Sequence, residues 1–275
     1  MFAFSLAGLV VGFAVGATGV GGGALMTPLL ILLFGVSPAV AVGTDLLYAA
    51  GTKGFGVLLH RQKGTVEWSI VGLLMLGSVP TSILTTAALH WVGIDERIES
   101  LITLTLCVAV ISTGLLTLLR NKVQSFSEHE SFEVLRSLHR RWRSPMTVVA
   151  GAILGVVVTL SSVGAGVIGA MILLLLYPRL PAISVVGTDL AHAVPLTAVA
   201  GLGHMSLGTV DFSMLGYLLL GSIPGIYLGT RLGFRLPDRV LKPVIAGILV
   251  IIAGSLFTRT ALAAIASLGG SATGV

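Results

Sequence analysis

Two aspartates, a lysine and a histidine stand inside apolar stretches of this sequence. Asp45 and Asp189 each follow a Gly-Thr pair, in Gly43-Thr44-Asp45-Leu46 and Gly187-Thr188-Asp189-Leu190. Lys53 comes eight residues after Asp45 and His192 three after Asp189, so each falls roughly on the helical face of its aspartate. An ionisable group in an apolar segment is costly unless it faces a cavity or a partner. Placed so, Asp45 and Asp189 can carry a proton or gate a passage. The same position, a few residues into a segment, also fits a capping or helix-linking aspartate. Lys53 can draw in an anion or neutralise Asp45. Its counterpart in the second half of the chain is Thr197, so its role belongs to one half only. His192, the counterpart of Tyr48, can titrate near neutral pH beside a carboxylate or serve as a satisfied structural histidine.

A second group of candidates is backbone. Thr18-Gly19-Val20-Gly21-Gly22-Gly23 and Ser161-Ser162-Val163-Gly164-Ala165-Gly166 interrupt apolar runs at corresponding points of the two halves. Glycine lets the backbone approach a ligand closely, and free N–H groups at the start of the following helix favour an anion. Thr18, Ser161 and Ser162 add hydroxyls, and Thr44 and Thr188 stand nearby in sequence. Together with Gly19, Gly21, Gly22, Gly23, Gly164 and Gly166 they form the expected substrate-binding set, an anion site of little formal charge. Tight helix packing or a hinge would use the same glycines. No strand precedes Gly19–Gly23 and no suitable acid follows, so this is not a dinucleotide fingerprint. His60 and His204 fall at segment ends and are expected at the membrane interface. Glu67 and Asp211 follow Gly-Thr-Val and suit a helix start. Pro80 and Pro224 should kink their helices, with Ser78 and Ser222 beside them.

The elements that hold these residues must be membrane helices. The chain is 55% hydrophobic and 10% charged, against about a quarter charged in soluble domains. Trp68–Trp91, Ile98–Leu119 and Lys242–Phe257 hold few charges or none. They approach the roughly 20 residues needed to cross about 30 Å of hydrocarbon. They lack the alternation of barrel strands, so an all-α membrane protein is expected. The net charge of +5 comes from loops between these runs and is no nucleic-acid footprint. Cys107 is the only cysteine, which excludes an internal disulfide. Met1-Phe2-Ala3-Phe4 lacks the basic start of a signal peptide, so the first segment is read as mature protein.

The chain repeats itself. Gly43–Thr86 and Gly187–Thr230 align without a gap at an offset of 144, with 19 of 44 residues identical, including the Asp, His and Pro just named. Upstream, the offset becomes 143. Five segments per half are expected, near 2–17, 24–35, 39–60, 67–91 and 98–119, then 146–160, 167–177, 182–204, 212–234 and 240–258. The first two of each half are short and glycine-broken, either full spans or re-entrant hairpins. The first repeat covers 1–119 and the second 145–260. Residues 120–144 form a basic linker with an interfacial helix around Phe132, Leu135, Leu138 and Trp142, and 261–275 a tail of small residues. An odd segment count inverts the second half. With the N-terminus outside, 13 of the 16 Lys and Arg lie in inside loops and two outside, as the positive-inside rule asks. Inverted repeats with broken segments are a recurrent build of secondary transporters, with substrate bound near the midplane.

These features resemble the sulfite exporter TauE/SafE family, also called the toluene sulfonate uptake permease family. The resemblance rests on Gly16-Ala17-Thr18-Gly19-Val20-Gly21-Gly22-Gly23, on Pro38 with Ala41-Val42-Gly43-Thr44, and on the second set Ser162-Val163-Gly164-Ala165-Gly166, Pro181 and Gly187-Thr188. Gly64-Thr65-Val66 and Gly208-Thr209-Val210 fit as well. The resemblance implies an inner-membrane permease for small anions, often sulfur oxyanions or organosulfonates. Family members commonly carry Ser after the Gly-Thr pair, whereas this chain has Asp in both halves. A carboxylate beside an anion site repels the substrate unless it is protonated or paired, which makes proton coupling part of the expectation.

The sequence thus leads to an alternating-access permease for sulfite or a related oxyanion, embedded in the inner membrane, with protons as possible co-substrate, no cofactor, no bound metal, no nucleic acid and an open oligomeric state. The alternative is a cation or metal transporter using Asp45, Asp189 and His192 as ligands. Neither an H-E-x-x-H nor a G-x-S-x-G motif occurs, which argues against an intramembrane enzyme.

Overall fold

The computed structural model describes residues 2–18, 23–62, 64–127 and 133–233, with residues 247, 251, 254, 255 and 258 beyond them. Among these the chain forms helices α1 Phe2–Thr18, α2 Gly23–Phe34, α3 Pro38–Gln62, α4 Trp68–Val92, α5 Glu96–Ser127, α6 Glu133–Ser161, α7 Val167–Leu176, α8 Ala182–Ser206 and α9 Phe212–Gly233, and no strand. The expected all-α membrane fold is what the chain adopts. The expected segment at 240–258 and the tail at 261–275 lie mainly or wholly outside the described residues. α5 runs on to Ser127 and α6 starts at Glu133, so the amphipathic stretch of the linker is helically continuous with the sixth segment.

Among the described residues, five helices are long and apolar enough to cross a bilayer, within α4, α5, α6, α8 and α9. α3 is as long as α8, at 25 residues, but carries Asp45, Lys53, His60 and Arg61. The lipid-facing stripe is visible on α5, where Leu101, Leu104, Val108, Ile111 and Leu115 are exposed at helical spacing while Ile102, Leu106 and Val110 are buried behind them. α2 and α7 have 12 and 10 residues, only about 18 and 15 Å at 1.5 Å per residue. Neither can cross the hydrocarbon alone. Each instead buries one side in protein, where Met26 and Leu30 of α2 and Leu173 of α7 are inaccessible to solvent, while Leu33 and Leu175 stay exposed. Broken helices at membrane depth are tolerated in such surroundings.

Packing is closest where small residues meet. Gly8 and Gly12 of α1 lie on Leu218 and Ser222 of α9, and Gly221 and Gly225 of α9 on Ser5 and Leu9 of α1. Numbers rise together along both helices, so α1 and α9 are parallel. The equivalent positions of the other half repeat this contact, with Gly151 and Gly155 of α6 on Leu74 and Ser78 of α4, and Gly77 of α4 on Val148 and Ala152. A Cβ at any of these would strike opposing backbone. This is the close approach that drives helix association in lipid, where burial of apolar surface gives no preference.

α3 and α8 cross the middle of the molecule in antiparallel fashion. Near the start of α3, Thr44 Oγ1 accepts the backbone N–H of Asp211, just past the end of α8, at 3.0 Å. Near the start of α8, Thr188 Oγ1 accepts the N–H of Glu67, just past the end of α3, also at 3.0 Å. Gly43 abuts Thr209 and His204, and Gly187 abuts Thr65 and His60. Equivalent residues therefore exchange equivalent partners at opposite ends of the α3–α8 pair.

Candidate functional site

The second glycine-rich break is built from its own backbone. α6 ends at Ser161, whose hydroxyl donates to Val157 O at 2.6 Å and receives Val163 N–H at 3.2 Å. That hydroxyl is spent on closing the turn. Ser162 takes the left-handed conformation with φ 57°, unusual for a side-chain-bearing residue. Gly164 and Gly166, at φ 123° and 146°, adopt angles open to glycine. Gly164 O and Gly166 O accept the N–H groups of Gly169 and Ala170, which leads the chain into α7. Of the two serines, Ser162 is the one whose hydroxyl is not used within the turn: it is 1% exposed and faces Asp45. Of the first break, Gly19, Gly21, Gly22 and the side chain of Thr18 lie outside the described residues, while Gly23 opens α2.

Around Ser162 the structure gathers the ionisable residues. Asp45 is wholly buried; its Oδ2 accepts the hydroxyl of Thr27 on α2, and Ser162 lies against the same carboxylate. The carboxylate is thus held between two hydroxyls, of Thr27 and Ser162. Lys53 Nζ donates to Ala165 O in the second break at 2.5 Å. The ammonium stands within electrostatic reach of Asp189, Asp45 and His192. Asp189 rests on the first turn of α7, its Oδ1 filling the space a side chain on Gly169 would need. His192 Nε2 shares a hydrogen bond of 2.9 Å with Ser78 Oγ, and its Nδ1 has no partner among the described residues. The equivalent pair in the other half, Tyr48 and Ser222, also lies side by side. Two carboxyls thus share one lysine, in contact with α2, α4 and the break between α6 and α7. Thr197, in the place of Lys53, bonds Ala193 O on its own helix at 2.9 Å.

The structure brings Asp45, Lys53, Ser162, Asp189 and His192 into one buried cluster. It places Thr44 and Thr188 elsewhere, their hydroxyls holding the crossed contacts of α3 and α8. Thr27 and Gly169 were not anticipated from sequence. The signal at Thr27, a hydroxyl one residue before Pro28 in a short helix, is weak. His204, at the segment end as expected, is fully buried in protein, with Nε2 donating to Thr159 O and Nδ1 bonded to Thr209 Oγ1, both at 2.9 Å. The reason is its place between the start of α3 and the end of α6. His60 keeps the matching bond to Thr65 at 2.8 Å and stays half-buried. Asp211 caps α9 through Met214 N–H at 2.9 Å, whereas Glu67 makes no side-chain cap on α4. Among the described residues no three His, Cys, Asp or Glu side chains come together to hold a metal ion.

Comparison with known proteins gives the same architecture a family. Residues 4–256 match the family model described as Sulfite exporter TauE/SafE. The chain is 36% identical over 247 residues to "Probable membrane transporter protein YjnA" of Bacillus subtilis, an alignment covering 90% of this chain and 95% of that protein. It is 28% identical over 261 residues to "Probable membrane transporter protein YdhB" of the same organism, covering 90% and 96%. A "Probable membrane transporter protein" of Xylella fastidiosa is 27% identical, with 83% of each chain covered. No solved structure matches the chain.

Proposed function

The chain belongs to the sulfite exporter TauE/SafE family, and on that premise we propose that it moves a small oxyanion, sulfite or a related sulfur oxyanion or organosulfonate, across the inner membrane by alternating access. The observation that carries this reading is the pairing of Lys53 with the second break. A buried ammonium and the hydroxyl of Ser162, which faces Asp45, sit together where α6 gives way to α7. An ammonium and a hydroxyl are donors suited to oxyanion oxygens. Thr27 and the start of α2 add a third side.

Alternating access needs a closure on each face. Thr44 with Asp211 and Thr188 with Glu67 supply two of matched geometry, at opposite ends of the antiparallel pair α3 and α8. The exchange of partners between equivalent residues supports halves of opposite orientation. The basic residues favour an N-terminus outside and residues 120–144 in the cytoplasm. Asp45 and Asp189, sharing Lys53, are the groups through which protons would be coupled.

Ligand binding tests the reading. A ligand that binds only the folded state stabilises it by about 2.7 kcal/mol at a hundred times its Kd. Sulfite, thiosulfate or methanesulfonate should raise the thermal midpoint of the detergent-purified protein in a saturable way. A rise with zinc or cobalt and none with the oxyanions would overturn the oxyanion assignment.

A further inference from the structure

A substrate oxyanion at this site would find its place already taken by the chain itself. Asp45 projects from α3 onto α2 and accepts the hydroxyl of Thr27. Asp189 does the equivalent from α8 onto the first turn of α7. Each half thus lays a carboxylate on its own short helix, and in the second half this lies next to the glycine-rich break that leads into α7. The first of these positions is filled by Asp45 itself. Asp45 and Ser162 are both fully buried, and the Ser162 hydroxyl lies against the carboxylate as a hydrogen-bonding neighbour. Two hydroxyls, of Thr27 and Ser162, thus face one carboxylate that an anion would have to displace. Lys53 stands near yet donates to the carbonyl of Ala165, a neutral acceptor, at 2.5 Å. The donors for an oxyanion are assembled, and the Asp45 carboxylate that they face would repel it, with Asp189 a second negative group within electrostatic reach of Lys53.

Resting on the oxyanion reading above, we propose that Asp45 is a tethered competitor of the substrate. Its carboxylate holds the oxyanion position between Thr27 and Ser162, and the substrate takes that position when Asp45 accepts a proton and Lys53 passes from Ala165 O to the incoming anion. The proton comes from the aqueous side that delivers the anion and stays on Asp45 while the anion is bound, so one proton accompanies each anion. The groups facing this exchange are Lys53 and Tyr48 on α3, Thr27 on α2, Ser162 after α6, and Asp189 and His192 on α8 through Lys53. Asp45 is thereby a specificity-determining residue: the chain binds anions tightly only where protons are available.

The test is sulfite binding to the purified protein from pH 5.5 to 8, for the native chain and for Asp45→Asn and Asp45→Glu. Sulfite's own protonation is common to all three, so differences between them isolate residue 45. Asp45→Asn should bind sulfite at least about tenfold more tightly than the native chain at pH 8, because a like charge has been removed, and the gap should close toward pH 5.5. Asp45→Glu should keep the native pH dependence. Weaker binding by Asp45→Asn, or a pH dependence parallel to the native one, would overturn the proposal while leaving the oxyanion reading intact. Should the variant fail to fold, the native protein decides: sulfite added to a weakly buffered sample at pH 8 should draw up protons beyond those sulfite itself takes, and no such uptake would overturn the proposal. Absence of sulfite, thiosulfate and methanesulfonate binding by the native chain would overturn both.

Discussion

Lys53 is the residue on which the site turns. One ammonium serves two buried carboxyls, and removing a single partner from a buried charge group typically costs about 3–5 kcal/mol. Lys53→Met should destabilise the fold by an amount in that range, read as a lowered thermal midpoint, and Asp189→Asn in the same chain should recover part of the loss. Strict additivity of the two changes would show that the groups do not interact. Thr197, in the equivalent place, bonds only its own helix, so Thr197→Ala should change stability by about 1 kcal/mol or less. At this scale the sequence was partly legible. Ionisable residues in apolar runs announce themselves by cost, and Asp45, Asp189, Lys53 and His192 do converge. Hydroxyls do not announce themselves. Ser161 and Ser162 look alike in sequence, and only the turn geometry spends one on the backbone and turns the other toward Asp45. Thr44 and Thr188 were expected at the substrate, yet they bond backbone N–H groups 167 and 121 residues away.

At the scale of elements, helix order and the two short, broken helices followed from apolar runs and glycine placement. The parallel seams of α1 with α9 and of α4 with α6 did not, because a glycine in a membrane helix fits a hinge, a ligand site or a seam equally well. The contacts separate these roles. Gly77→Leu would drive a side chain into Val148 and Ala152, and overpacking of this kind costs about 1–3 kcal/mol or more. Gly72, with open space where its Cβ would stand, should accept Ala with little change. The crossed threonines make a sharper prediction. Thr44→Val leaves the N–H of Asp211 without its acceptor, and Thr188→Val does the same for Glu67, each at about 1–3 kcal/mol. If these contacts close opposite faces, Thr44→Val should raise the labelling of Ser162→Cys from one side of the membrane and Thr188→Val from the other, in a Cys107→Ser background. Increased labelling from the same side in both variants would remove them as opposed closures.

The whole molecule reads as two related halves that differ where chemistry requires it. The shared frame is the exchanged contacts of α3 with α8 and the paired glycine seams. Onto it are placed a lysine against a threonine, a histidine against a tyrosine, and a buried histidine against a half-buried one. A strictly symmetric site could not hold a single cation at its centre. The exposed stripes of α5, α6 and α9, including Leu104, Val108, Ile153, Ile223 and Leu220, form a surface fit for lipid and explain why composition alone identified the solvent. The central claim is that this asymmetric cluster moves an oxyanion. Sulfite counterflow into liposomes carrying the purified protein tests it most directly. Saturable exchange of labelled sulfite is expected, competed by thiosulfate or a sulfonate and reduced at least about tenfold in a folded Lys53→Met variant, since a buried charge contact to the substrate is worth about 2 kcal/mol or more. No sulfite, thiosulfate or sulfonate flux from a folded, correctly inserted native protein, or full flux in Lys53→Met, would contradict the account.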